Sequence, residues 1–295
     1  MVADAHVSTR LDGSWKVFHR TMDRLRTAVA DLNDRAVDAV VFAGDLTENG
    51  AREDFEAVHD VVRELEPPSM AIPGNHDVPK TFDEDDVPTL AEFEAMFSPA
   101  GLPFAERVGG VDLVGLNTAS TPDGSLADTH DGEVSPDQTA WLDGVLADAD
   151  APLVVMHHNL PGLLARTGGH SWRSSFPIRN HEPLVDVLAS NDAPLVVSAH
   201  LHLPAVTETA GVTELVSPAL STFPQGYLLV EVDETGTTVR YVPVADTAGV
   251  REAYDHAQRH TTRSSAVARL TAAQFSKLPL VDELAGAERS ISSML

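Results

Sequence analysis

What most constrains the fold of this chain is the way its short apolar runs end. Runs of four to six residues recur at Asp38 to Ala43, Ser69 to Ile72, Val111 to Leu116, Pro152 to Met156, Pro194 to Ser198, Val212 to Val216, Tyr227 to Val232 and Thr237 to Val242, and each stops at polar or turn-forming residues. Runs this short and this rich in Val, Ile and Leu read as buried strands. Helical periodicity lies between the earlier ones, at Val17 to Leu32 and Ala51 to Leu65, and again at Asp137 to Leu146 and Pro183 to Leu188. Strand and helix alternate first and strands dominate later, which predicts an α/β layered fold with mixed sheets. Pro88 to Leu102 is less regular and is read as a short helix in a cap or insertion. With 295 residues and 43% hydrophobic content the chain can bury one large core, so a disordered or fibrous chain is excluded.

The chemistry-bearing residues sit just past those runs. Asp4-x-His6 stands at the N-terminus, Gly44-Asp45 closes the run ending at Ala43, Gly74-Asn75-His76-Asp77 follows Ile72, His157-His158 follows Met156, and His200-x-His202 follows Ser198 and Ala199. In α/β sheets the loops beyond the carboxyl ends of the strands converge, so residues nearly 200 positions apart in sequence can meet. The chain has no cysteine. Disulfides, thiolate metal sites and a cysteine nucleophile are excluded, and any metal must be held by imidazole, carboxylate or amide oxygen. That donor set suits Mn, Fe, Zn, Co or Ni rather than copper(I) or an iron–sulfur cluster.

Spacing sharpens the expectation. In D-x-H and H-x-H at strand ends, alternate residues share a face, so each pair can flank one ion. Asp45 lies between them in the set and has two oxygens that can reach different ions; Asn75, His157 and one member of the H-x-H pair remain for a second ion. Two ions roughly 3.5 to 4 Å apart hold a bridging water as hydroxide and clamp phosphoryl oxygens, a centre suited to phosphoester hydrolysis. His76, next to Asn75, is placed to stabilise the transition state or protonate a leaving alkoxide. A lone histidine is more often structural than a ligand; the ordered set is far more specific.

The five blocks, in this order, resemble the calcineurin-like metallophosphoesterases, which include class III cyclic-nucleotide phosphodiesterases and glycerophosphodiesterases. The resemblance covers Met1 to about Val244. Gly132 through Gln138 to Trp141-Leu142 and Leu116-Asn117-Thr118 resemble two further elements of that family. It implies a β-sandwich of mixed sheets flanked by helices in four layers, with a binuclear metal site at one edge and a metal-bound hydroxide attacking a phosphodiester. By motif, Asp4, His6, Asp45 and His202 would hold the first metal, Asp45, Asn75, His157 and His200 the second, and His76 would be the general acid. Three departures are visible. Ala199 replaces the glycine of G-H-x-H, which matters only if that backbone needs a positive φ. His157-His158-Asn159-Leu160-Pro161 replaces H-x-P, leaving His157, the favoured ligand, beside His158. Only Met1 to Ala3 precede Asp4, where the family has a full central strand, so the reading is either a truncated strand with a loosened site or a start codon further upstream.

Charge bears on partners. There are 45 acidic against 20 basic residues, a net charge of −25. Such a surface repels nucleic acid and anionic lipid, which argues against a DNA- or RNA-cutting member of the family and for a small phosphoester substrate. Only Lys16, Lys80 and Lys277 are lysines, and the dispersed acidity reads as that of a halophile protein whose self-repulsion is screened by salt. No run of eighteen uncharged apolar residues occurs and no secretory pattern opens the chain, so a soluble, cytoplasmic protein is expected. Residues 1–245 carry all of the excess charge, whereas 246–295 hold six residues of each sign. The division is therefore read as a phosphoesterase domain, 1–245, and a C-terminal helical extension, 246–295, packed on its own body or on a second copy in a homodimer.

Weaker candidates complete the reading. His170 and Arg173, near Trp172 and Arg179 in a Gly/Ser-rich loop, are candidate substrate-phosphate contacts. Glu48 and Asn49 can orient a ligand, His130 is read as a surface residue, and His256 and His260 are spaced as a helical pair. A non-catalytic scaffold is the alternative from another class; it has no need of His76 beside a complete ligand set.

Overall fold

The computed structural model describes residues 1–81, 85–126, 130–167, 177–191, 193, 195–234, 236–275, 280–282 and 287–289. Two sheets lie face to face. The first contains β1 (Val40–Ala43) and β2 (Ser69–Ile72), paired in parallel, and the antiparallel hairpin β9 (Gly226–Asp233) and β10 (Gly236–Pro243). Between β1 and β9 run residues 1–3. Val2 N–H donates to Val41 O (2.9 Å), Val2 O accepts from Ala43 N–H (2.8 Å), and Met1 exchanges hydrogen bonds with Leu228 on the other side. Three residues thus occupy the central lane, and Asp4, next in the chain, is fully buried.

The second sheet has six strands in the order β3 (Phe104–Val108), β4 (Val111–Gly115), β5 (Pro152–Val155), β6 (Val196–Ser198), β8 (Val212–Val216) and β7 (Ala205–Thr209). The inner strands β4, β5, β6 and β8 are mutually parallel, and the edge strands β3 and β7 are antiparallel to their neighbours.

Period-two alternation builds the layers. Val41, Ala43 and Ile72 of the first sheet meet Phe104, Leu113, Leu153, Val155 and Val197 of the second in the sandwich interior. The alternate residues Val40 and Phe42 face outward, onto Leu25 and Val29 of α1 (Phe18–Asp34), Phe55 and Val58 of α2 (Arg52–Val62) and Phe93 of α3 (Leu90–Phe97). On the far side Val114, Val154 and Val196 pack on Leu142 and Leu146 of α4 (Pro136–Asp148) and Leu184 and Leu188 of α5 (His181–Ser190). Helix, sheet, sheet, helix is the four-layer arrangement expected. Phe42, 1% exposed, sits where the outer helices meet the sheet, and Phe42→Ala is expected to cost about 3–5 kcal/mol in urea unfolding with the slope unchanged.

Past Asp246 the chain departs from a purely helical extension. Two helices, α6 (Thr247–His260) and α7 (Thr262–Phe275), are followed by a pair of antiparallel strands, β11 (Leu280–Asp282) and β12 (Ala287–Arg289). Pro279 cannot continue a helix, and the Leu280-Val281 step that follows favours extended backbone. The two helices pack on the body: Val250, Ala253, Ala257 and Phe275 lie against Val17 and Phe223, and Val267 against Leu201 and Leu203.

Candidate metal centre

All seven expected ligands converge at the carboxyl ends of the central strands, and all are buried. Five of them, Asp4, His6, Asp45, His200 and His202, have φ between 44° and 65°. That left-handed conformation is uncommon for residues with a Cβ and collects where surrounding structure enforces it. Ala199 is not among the positive-φ residues, so the missing glycine of the last block leaves the backbone unstrained there. The glycines that matter are elsewhere. A Cβ on Gly44 would come within 2.6 Å of His157 Nδ1, and one on Gly74 within 2.8 Å of Asp45 Cγ. Those two loops can approach only because neither residue has a side chain.

On one side of the cluster, His6 Nε2 and His202 Nε2 are 3.1 Å apart, with Asp4 Oδ1 3.4 Å from the His202 nitrogen and Asp45 Oδ2 3.4 Å from that of His6. The other nitrogen of each ring is engaged: His6 Nδ1 lies 2.9 Å from Glu48 Oε2, and His202 Nδ1 3.1 Å from Thr222 Oγ1. With Nδ1–H donating in both rings, two Nε2 lone pairs face each other between two carboxylates. Asp4 Oδ2 adds a buried oxygen with no hydrogen-bond partner. A divalent cation satisfies all of these groups together, so the residues fit the metal that the motif implies.

The other side is built the same way. His157 Nε2 is 3.3 Å from both Asp45 Oδ2 and Asn75 Oδ1, while its Nδ1–H donates to Ala43 O at 2.8 Å. His200 closes this side, its ring centroid 5.0 Å from that of His157. Both ring nitrogens of His158 are engaged elsewhere, with Thr118 Oγ1 (2.8 Å) and His130 O (3.2 Å), which distinguishes it from its neighbour. Burial opposes charge on the His157 ring, but Asp45 outweighs it and pushes the pKa up to about 9. Burial would likewise raise Asp45, yet the surrounding His157, His76 and His6 hold it well below the carboxylate range. The cluster is a negative pocket that draws positive charge.

His76 stands at the rim, half-buried. Its backbone N–H donates to Asp45 Oδ1 at 2.9 Å, its Nδ1–H donates to the Glu48 carbonyl, and its ring lies edge-on to His6 at 4.8 Å. Burial, then the Lys16 charge, hold this imidazole well below its ordinary pKa. His170 and Arg173 lie outside the described residues. Arg179 is turned to Asp131 and Glu133 in ion pairs of 2.6 and 3.3 Å.

Several neighbours escaped the sequence reading. His130, expected at the surface, is exposed but reaches Asn75 Nδ2 at 2.7 Å and lies 5.3 Å from His76 ring to ring. Trp15 stacks on His202 at 5.0 Å. Asp77 accepts from the N–H groups of Leu46, Thr47 and Gly74 at 3.0–3.1 Å, and so joins the two glycine loops; burial and nearby Asp45 push it up to about 7. Glu214 accepts from Leu160 N–H, Ser198 Oγ and Thr207 Oγ1 at 2.6–2.9 Å, tying the His157 loop to the H-x-H loop. Lys16 Nζ donates to Glu48 Oε2 at 2.6 Å, and Lys80 Nζ to the carbonyls of Asn75 and Val78. Two of the three lysines therefore serve this centre, and lysine scarcity in an arginine-rich chain was the signal that could have found them. Lys16→Met frees the Glu48 carboxylate that orients His6; metal affinity by isothermal titration is expected to fall about 10- to 100-fold with the far-UV spectrum unchanged.

Comparison with known proteins identifies the family. The sequence profile of the calcineurin-like phosphoesterases matches residues 2–204. The chain belongs to that family, and it is a metal-dependent phosphoesterase. It is 25% identical over 237 residues to a probable cyclic nucleotide phosphodiesterase of Synechococcus sp., covering 78% of this chain and 86% of that one. A probable cyclic nucleotide phosphodiesterase of Rhodococcus erythropolis is 30% identical over 201 residues, 66% of this chain and 60% of that one. Among solved structures, a dimetal phosphatase from Danio rerio superposes with a TM-score of 0.64 at 16% identity, covering 83% of this chain and 95% of that one. That last likeness speaks for the fold.

Proposed function

We propose that the protein is a binuclear phosphodiesterase acting on a small diester of the cyclic-nucleotide or glycerophosphodiester type. Asp4, His6, Asp45 and His202 would hold one ion and Asp45, Asn75, His157 and His200 the other. When bound, two divalent ions supply an activated water and neutralise charge on the phosphoryl oxygens. The observation that carries this reading is Asp45, whose Oδ2 stands 3.4 and 3.3 Å from ring nitrogens on the two sides of the cluster. The chain's own residues do the rest. The Glu48 carboxylate and the Ala43 carbonyl, which can only accept, fix the tautomers of His6 and His157, Thr222 Oγ1 holds Nδ1 of His202, and the buried walls exclude bulk water. With Nδ1 given to Glu48 O, His76 presents Nε2 to the substrate; an incoming phosphate favours the imidazolium, which can then pass its proton to the leaving oxygen. Cyclic nucleotides are the class named for two of the relatives, and the net charge of −25 supports a small substrate over a nucleic acid.

The test is hydrolysis of bis-p-nitrophenyl phosphate beside p-nitrophenyl phosphate, with Mn²⁺ added after chelation. Metal-dependent turnover of the diester, exceeding that of the monoester, is the expected result. A monoester preference would overturn the substrate class. Elemental analysis should give two catalytic ions per chain; one would overturn the binuclear reading. No helix among the described residues is long and apolar enough to cross a membrane. The acidic surface further fits a cytoplasm rich in salt, and a melting temperature that rises from 0.1 to 2 M KCl is the corresponding expectation.

A further inference from the structure

Away from the catalytic cluster, a second group of metal-binding side chains joins the start of α1 to α6. His19 lies in the first turn of α1, while Glu252 and His256, one helical turn apart, share a face of α6. One ligand atom from each lies within 4.8 Å of the other two. His19 Nε2 is 3.0 Å from Glu252 Oε1, and the rings of His19 and His256 are 5.6 Å apart. The other nitrogen of His19, Nδ1, is 3.0 Å from Asp12 Oδ1, and the other oxygen of Glu252 accepts from Arg20 Nε at 3.1 Å.

We propose that His19, Glu252 and His256 form a zinc-class divalent cation site that clamps the C-terminal helices to the first helix of the body. Two of the three ligands already have the partner that a metal site requires. Asp12 accepts from Nδ1–H of His19, the carboxylate–imidazole arrangement that fixes the tautomer and leaves Nε2 as the donor atom. Nε2 then faces Glu252 Oε1 with two lone pairs opposed, an arrangement that only a proton or a cation makes attractive. Arg20 holds Glu252 by its other oxygen, so Oε1 is oriented toward the shared point. Two imidazoles and a carboxylate form a zinc, cobalt or nickel set, and the fourth position of a tetrahedral ion is left to water. The net charge of −25 raises the local concentration of any cation at this surface. The placement also has a consequence for the catalytic side. Trp15, stacked on His202, packs in the cluster that α6 and α7 form with Val17, so an ion at His19 braces the loop that carries Trp15 and Lys16.

The test is zinc stoichiometry by equilibrium dialysis at buffered free Zn²⁺, followed by elemental analysis. The wild type is compared with His19→Ala, with His256→Gln, and with both substitutions in an Asp45→Asn background. Each variant is expected to bind one equivalent less than its parent in both backgrounds, so the result is independent of what happens at the catalytic centre. In the wild type, zinc at 100 times the dissociation constant of this site is expected to raise the melting temperature by ~5 °C, and the part due to this site should vanish in the variants. Both side chains are at least partly exposed, and circular dichroism checks that the variants fold. Equal zinc counts in wild type and variants would overturn the proposal, as would loss of the equivalent in only one of the two variants.

Discussion

Asp45→Asn is expected to lower kcat/KM for bis-p-nitrophenyl phosphate by at least ~10³-fold and to reduce the bound metal. The reason is position. Asp45 leaves β1 at Gly44, in a left-handed conformation held by backbone bonds to the N-terminal lane, including His6 N–H to Asp45 O at 2.9 Å. One of its oxygens accepts from the backbone of His76; the other stands between His6 and His157. Asparagine keeps the shape and one acceptor, so the fold should survive, but removes the negative charge that both halves of the cluster share. It also risks turning an amide donor toward atoms that must receive a cation. The readouts are the rate and, separately, the metal content. A variant that lost no metal relative to wild type and came within tenfold of wild-type activity would show that the carboxylate is not shared, and the binuclear proposal would fail with it.

The layers and the centre were legible for one physical reason: a strand buried on both faces must be apolar throughout, so its end is marked by the first polar residue. β1, β2 and β5 could be placed to within a residue or two because nothing polar interrupts their interiors. Two strands of the body that sequence did not reveal, β3 and β7, are the edges of the six-stranded sheet. An edge strand can carry Glu106 and Arg107, or Glu208, without burying charge, and so loses the apolar signature. The extension shows the opposite limit, since Leu280-Val281 after Pro279 reads equally well as helix or strand until a partner strand is present. At the site, motif spacing identified groups that point inward from strand ends. It did not identify Lys16, Trp15 or His130, which arrive on loops whose path depends on tertiary packing, nor Glu214, whose buried carboxylate is explained only by the three donors that meet it. The position of Asp4 rests on the backbone bonds that Met1 and Val2 make to the strands on either side, pairings that the sequence alone does not display.

His76→Ala separates the chemistry of the rim from the binding of metal. The backbone N–H that donates to Asp45 Oδ1 belongs to the main chain and persists in alanine, so the ions should be held with unchanged stoichiometry. What is lost is the ring and its route for a proton. For a diester whose leaving group is a sugar or glycerol alkoxide, turnover is expected to fall at least ~10²-fold, within the range of general acid catalysis. With p-nitrophenolate as leaving group, a much better one that departs as an anion near neutral pH, protonation matters little and the loss should be far smaller. The comparison of the two substrates therefore carries the assignment. A uniform loss on both would move His76 from proton donor to a group that stabilises phosphoryl charge, and no loss on either would remove it from the catalytic machinery. His130, 5.3 Å away ring to ring, is the control: it contacts Asn75 from an exposed position, and His130→Ala should not reproduce the dependence on leaving group.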